Sequence, residues 1–179
     1  MNLRLLIFIP LALLQFSVPG WMIFHEEQTL QHGRLFKFRT APVDPYDALR
    51  GRYVALRFDA ENNSVIKAAP WPDDQKVWVQ LETDPQGFAK VKQVSATPLR
   101  GDDVMEAHSR WGGLQFPFDR YYLDEKIAPK AEAAYRANNT RNHENAYVTV
   151  RILDGHAALE DLYIDDKPIR EFLRTDAGK

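Results

Sequence analysis

Lys76-Val77-Trp78-Val79-Gln80-Leu81-Glu82 alternates apolar and polar residues without a break. Successive side chains of a strand point to opposite faces, so Val77, Val79 and Leu81 share one face and the stretch predicts a half-buried antiparallel strand. Tyr53 to Phe58 alternates in the same way, with Val54, Leu56 and Phe58 on one face and Tyr53, Ala55 and Arg57 on the other. Weaker strands are expected at Arg34 to Arg39, Ala89 to Ser95, Val104 to His108, Tyr147 to Leu153 and Ala157 to Ile164. Asp154-Gly155, between the last two, reads as a tight hairpin turn because Gly tolerates the positive φ such turns need. Only Pro129 to Asn138 breaks the pattern: Ala131, Ala134 and Tyr135 lie on one helical face, Pro129 suits a first turn and Asn138-Asn139 suits the exit. The chain is therefore expected to be mainly β, an antiparallel barrel or sandwich-like domain with one short helix.

Ahead of this domain stands a segment of different character. Leu5 through Phe24 carries no charged side chain, and at about 1.5 Å per residue it reaches about 30 Å, the thickness of a bilayer's hydrocarbon core. Three readings fit it: an uncleaved N-terminal transmembrane helix, a removed signal peptide with Val18-Pro19-Gly20 as an imperfect cleavage site, or a buried core helix. The anchor is preferred because Trp21-Met22-Ile23-Phe24 extends the apolar run beyond that site. Pro10 and Pro19 are expected to kink or end the helix, and Trp21 suits an outer interface. Arg4 precedes the span and Glu26-Glu27 follow it, so the positive-inside rule places the N-terminus in the cytoplasm. The expected organisation is an anchor at residues 1–24, contacting the lipid bilayer through residues 5–24, and a single extracytoplasmic domain at 25–179, periplasmic or extracellular.

Composition narrows the partners. With 45% hydrophobic residues and a formal net charge of -2, acids and bases interspersed, the chain has no basic face for nucleic acid or anionic lipid. Its 0 cysteines exclude disulfides, thiolate nucleophiles and Cys-based zinc sites. His25, His32, His108, His143 and His156 show no close pairing of the kind a helical zinc site needs. No Gly-x-Ser-x-Gly elbow occurs, and Trp111-Gly112-Gly113 lacks the Lys and Ser/Thr of a phosphate loop, reading instead as a turn or bulge. No cofactor is implied. Asn62-Asn63-Ser64 and Asn138-Asn139-Thr140 fit the glycosylation sequon but read as turn asparagines.

Leu49-Arg50-Gly51 before the strand at Tyr53 recurs as Leu99-Arg100-Gly101 before that at Val104. Were this a structural duplication, the two strands would occupy pseudo-symmetric positions; the alternative is a common strand-entry sequence. The most distinctive stretch runs from Thr40 through Pro42-Val43-Asp44-Pro45-Tyr46-Asp47 to Arg50-Gly51-Arg52-Tyr53-Val54-Ala55-Leu56-Arg57-Phe58. With the N-terminal apolar run, Phe118-Asp119-Arg120-Tyr121-Tyr122-Leu123 and Ala158 to Asp165, it resembles the GDYXXLXY family of bacterial membrane-anchored proteins over nearly the whole chain. The family has no assigned activity, and its members look like partners of multi-spanning membrane proteins. The resemblance thus implies the bacterial inner membrane, single-pass, and an integral membrane protein partner. Gly51, Tyr53 and Leu56 match the motif, whereas Arg52 stands at its acidic position and Phe58 at its last tyrosine. An Asp-to-Arg exchange replaces an acceptor with a donor, so a catalytic carboxylate there is lost and the motif reads as structural.

The candidate motif and binding residues are Asp44, Asp47, Arg50, Gly51, Tyr53, Leu56, Arg57, Arg120, Tyr121 and Tyr122; no catalytic residue and no metal ligand is assigned. Asp44 and Asp47, beside Pro, suit turns. Trp111 to Tyr122 combines aromatic and arginine residues of the kind found at interface hot spots, with Phe116 and Phe118 read as core, Tyr121 or Tyr122 as groove-forming, and Arg120 paired with Asp44, Asp47 or Asp124. Two functions remain in play. The preferred one is a non-enzymatic accessory or interaction module for a multi-spanning membrane protein. The alternative is an envelope hydrolase or small-molecule binder whose site in the β-domain uses Tyr53, Arg57, Asp44 and Arg120.

Overall fold

The computed structural model describes residues 3–41, 53–62, 71–110, 112–140 and 143–176. Helix α1 (Leu3–His32) leads into β1 (Arg34–Arg39), β2 (Tyr53–Ala55), a 3-10 turn at Asp59–Asn62, β3 (Lys76–Thr83), β4 (Ala89–Ser95), β5 (Val104–Arg110), β6 (Gly113–Gln115) and β7 (Arg120–Tyr122). Then follow α2 (Ala128–Asn138), β8 (Asn139–Thr140), β9 (His143–Glu144), β10 (Ala146–Leu153), β11 (His156–Ile164), β12 (Lys167–Pro168) and α3 (Ile169–Asp176). The strands form two antiparallel four-stranded sheets, ordered β1-β10-β11-β12 and β4-β3-β5-β6, and two small ribbons, β2-β7 and β8-β9. The mainly β class read from the sequence is the class observed, with the sheets curving into a half-barrel.

Alternation decides which side of each strand is dry. Val77, Val79 and Leu81 of β3 are all buried, as are Phe36 and Phe38 of β1, which lie opposite Val150 and Val148 of β10 on the same face. The sheets are stitched by parallel bridges, Lys37 to Phe88 and Met105 to Gly155, and Glu106 N donates to Gly155 O at 2.9 Å. Between them Phe38, Phe58, Phe116 and Phe118 form a closed cluster in which every pair of ring centroids lies 5.1 to 5.9 Å apart.

Two glycines make the connections possible. Gly155 at φ 86° follows Asp154 at φ 49°, the pair of positive φ values a two-residue hairpin turn requires between β10 and β11. Gly33 closes α1 by donating to Thr29 O at 2.8 Å, and a Cβ there would stand 2.5 Å from that oxygen and 3.0 Å from the backbone of Ile152. Only glycine lets the helix end lie this close to β10.

Several expectations are adjusted. Neither Pro10 nor Pro19 ends α1, since a proline removes only its own backbone donor and the turns on either side keep theirs. The helix also runs past the apolar stretch to His32, with Thr29 fully buried against the domain. The Tyr53-to-Phe58 strand is shorter than its alternation: after Ala55 the chain leaves β7 and Phe58 bridges Thr40 instead, while Val54, Leu56 and Phe58 keep the predicted inward face. Within the β domain only one short helix is expected, yet α3 forms besides α2, with Ile169, Phe172 and Leu173 at i, i+3 and i+4 packed on the core. The Leu-Arg-Gly echo has no counterpart in position, for β2 lies in a two-stranded ribbon and β5 lies between β3 and β6; Leu49, Arg50 and Gly51 themselves fall outside the described residues.

Phe38 touches each of the other three phenylalanines, so Phe38→Ala should lower unfolding free energy by about 3–5 kcal/mol in denaturant titration. A second test concerns alkaline stability. Burial pushes the Tyr135 hydroxyl up to about 12, against the opposite pull of its hydrogen bonds with Thr40 and Asn139. A raised value favours the protonated phenol in the folded state, so its stabilising contribution is complete below pH 10 and is lost as the pH climbs toward 12. Unfolding free energy should therefore fall over that window by up to about 1.4 kcal/mol per pH unit from this residue alone, and Tyr135→Phe should flatten the slope by that amount.

Candidate functional site

The β2-β7 ribbon carries much of the chemistry read from the sequence. Its register sets Tyr53 opposite Tyr122, Val54 opposite Tyr121 and Ala55 opposite Arg120. Val54 and Tyr121 turn inward, while Arg120 and Tyr122 face out, with Tyr122 64% exposed. On the outer face the Arg120 guanidinium lies 5.2 Å from the Tyr53 ring centroid, and the Tyr53 and Tyr122 rings are 5.7 Å apart. The Tyr122 hydroxyl, and after it Asp119, hold the Arg120 guanidinium even more firmly protonated than usual. A guanidinium over one tyrosine and bonded to another is a rigid, amphipathic patch of hot-spot composition.

Beside the ribbon a cleft of about 460 Å³ opens, walled by Arg120, Tyr121 and Tyr122 of β7, His156 and Glu160 of β11, Arg170 of α3 and Glu26 of α1. Tyr121 donates its hydroxyl proton to Asp161 Oδ1 at 2.6 Å. Burial and that carboxylate push the phenol well up, so it stays a donor at neutral pH. Glu160 is paired with Arg151 at 2.9 Å, and Arg151 also donates to Gly33 O at 3.2 Å, tying β10 to the helix end. Glu26 Oε2 lies 2.8 Å from His156 Nε2, an ion pair when the imidazole is protonated. The His25 ring stacks on Trp21 at 5.2 Å and meets His156 at 4.9 Å. One turn of α1 thus contributes directly to the cleft.

Along α1 beyond this junction the surface is uncharged and mostly apolar from Leu5 to Phe24. Phe8, Phe16, Trp21, Met22, Ile23 and Phe24 are 61% to 76% exposed and touch none of the core. Phe8–His32 is long and apolar enough to cross a membrane, a property that signal sequences near an N-terminus share.

Of the residues singled out from sequence, Tyr53, Arg120, Tyr121 and Tyr122 come together here. Leu56 is 4% exposed and belongs to the core, and Arg57 sits outward on the next turn of chain, near the Glu61 carboxylate. Asp44, Asp47, Arg50, Gly51 and Trp111 lie outside the described residues. Phe116 and Phe118 are core, as read. The carboxylate beside Arg120 is Asp119, with Nε to Oδ1 at 3.7 Å, rather than Asp124. Asp124 is instead spent on the entry to α2, accepting from Lys126 N at 2.9 Å. Glu26, His156, Glu160 and Arg170 were not foreseen, because they meet only through contacts as far as 130 positions apart. The available signal was weak: Glu26 directly follows the apolar run, and Glu160 falls within a segment that carries the family resemblance. Among the described residues no group of His, Asp and Glu is placed to hold a metal ion.

The family described as GDYXXLXY protein matches residues 15–162. No curated protein and no solved structure matches the chain. The matched span takes in the lower half of α1, the Gly51-to-Phe58 motif, the β2-β7 ribbon and most of the cleft wall. This chain belongs to the GDYXXLXY family.

Proposed function

We propose that this chain is a membrane-tethered accessory module: α1 stays in place as a single-pass anchor in the bacterial inner membrane, and one β domain, residues 25–179, works outside the cytoplasm. The observation that carries the reading is the continuity of α1, uncharged and mostly apolar from Leu5 as far as Phe24 and then built into the domain through Glu26, Thr29 and Gly33. An uncharged helix whose large apolar side chains are all unburied calls for an apolar solvent. Removal of a signal peptide after Gly20 would leave Trp21, Met22, Ile23 and Phe24, each 61% to 71% exposed, standing in water on the surviving turns. Arg4 before the span and Glu26-Glu27 after it favour the extracytoplasmic orientation.

The module acts by docking, non-enzymatically, on an integral membrane protein, and the outer face of the β2-β7 ribbon is its contact surface. Tyr53, Arg120 and Tyr122 supply rigid aromatic area and a guanidinium that lose little conformational freedom on binding, and they stand beside the foot of the anchor, where a multi-spanning partner is within reach. The cleft next to them favours a second reading, a small-molecule binder, whose polar groups converge from four different elements.

Two measurements test the module. The full-length chain should stay in the membrane pellet after an alkaline wash, with an intact mass that includes residues 1–20; release into the supernatant of a shortened chain would remove the anchor. A photo-crosslinking residue at Tyr122 in cells should capture one multi-spanning protein repeatedly, while the same residue at exposed Lys92 on β4 captures it at background. Equal capture at both positions would remove the ribbon as the contact surface.

A further inference from the structure

Depth in the membrane follows from the helix itself. Phe24 ends the apolar run, and Glu26 is two residues further on, about 3 Å along the axis. The headgroup layer extends about 5–7 Å beyond the hydrocarbon core on each side. With the apolar run filling the core, the Glu26 wall of the cleft lies at headgroup depth, and Trp21, stacked on His25, lies within one helical turn of the interface.

The charges in the cleft are unevenly matched. Its acids are occupied: Glu26 faces His156, Glu160 is held by Arg151, and Asp161 just behind the wall accepts from Tyr121. Its arginines are engaged only in part. Arg120 meets the Tyr122 hydroxyl and has Asp119 only at 3.7 Å, while exposed Arg170 reaches the Tyr121 hydroxyl and has no carboxylate at ion-pair distance among the described residues. Two guanidinium groups with donors to spare, in one cleft with exposed Tyr122 at its lip, suit a singly charged anion with two equivalent oxygens and an apolar shoulder.

We propose that this cleft seats the phosphodiester of a membrane phospholipid, with Arg120 and Arg170 donating to its non-bridging oxygens and Tyr122 flanking its glycerol. The site rests on the reading of α1 as a retained anchor, and it would fix the β domain's tilt on the membrane by a second point of attachment beside the helix. The phosphodiester chemistry is shared with free phosphate; the depth of the cleft assigns it to the lipid.

Native mass spectrometry of the full-length chain, purified in detergent and supplied with dioleoyl phosphatidylglycerol, reads both points at once. The wild-type chain should retain one phospholipid at a detergent level that strips lipid from the helix surface. Arg120→Gln with Arg170→Gln should weaken retention by about ten-fold per arginine lost. Lys92→Gln with Lys130→Gln, which removes two exposed charges elsewhere, should leave it unchanged. Equal retention in both double variants overturns the proposal, as does displacement of the lipid by millimolar inorganic phosphate, or an adduct with the mass of a peptide instead of a lipid. A chain mass lacking the α1 segment overturns the anchor reading, and the headgroup site with it; an intact mass with arginine-independent retention overturns the headgroup site alone. Should the double arginine variant fail to fold, Arg170→Gln alone decides, because Arg170 is exposed and holds no carboxylate partner among the described residues.

Discussion

Packing of Phe38, Phe58, Phe116 and Phe118 is the constraint on which the remainder depends, because the four rings come from four different stretches of chain that local structure alone would not bring together. Phe38 is delivered by β1, Phe58 by the segment after β2, Phe116 by the end of β6 and Phe118 by the approach to β7. The rings are 0% to 4% exposed and meet at tilted or edge-on angles of 32° to 67°, the arrangement aromatic quadrupoles favour. Once they are packed, the two sheets and the β2-β7 ribbon have little freedom left. The outward residues of that ribbon, Tyr53, Arg120 and Tyr122, are positioned as a consequence of what Val54, Tyr121 and Phe118 do on the inside.

The same cluster explains a partly buried acid. Glu61 accepts from Phe58 N at 3.2 Å with one oxygen and from Phe116 N at 3.3 Å with the other. It therefore clamps the two backbones that carry neighbouring rings. Burial raises its carboxyl, and the two amide donors, with Arg57 nearby, pull it back. A short side chain at this point would leave two amides without their acceptor at the edge of the core, which costs more than the bonds themselves return.

Legibility from sequence followed the range of the physics. Period-2 alternation is local, so the buried faces of β3 and of Tyr53 to Phe58 could be read residue by residue, and so could the Asp154-Gly155 turn, whose φ values are a property of two residues. Pairing partners are not local. Nothing near Phe58 in the chain says that it bridges Thr40, and nothing near His156 says that it meets Glu26. The β11 end of the cleft, the turn of α1 beneath it and the arginine of α3 were accordingly missed, while β7, whose aromatic and arginine content is visible in one window, was found. Helix α3 is a different case: Ile169, Phe172 and Leu173 carry helical spacing, but eight residues after a proline are too few for periodicity to stand out.

The family motif can now be divided by what its residues touch. Leu56 and Phe58 are 4% and 1% exposed and belong to the core, where a phenylalanine fits without a partner for a hydroxyl, so the departure from tyrosine at position 58 is a packing change. Tyr53 lies on the opposite face of the same strand, against Tyr122 and beneath Arg120. Strand alternation forces this split: a run with one residue type buried at every second position must present the intervening positions outward. The motif therefore couples two tasks in eight residues, holding the ribbon to the core through Leu56 and Phe58 and displaying Tyr53 on the outer face of the ribbon. On its outward side the motif presents an aromatic face at Tyr53 and a guanidinium fork at Arg57.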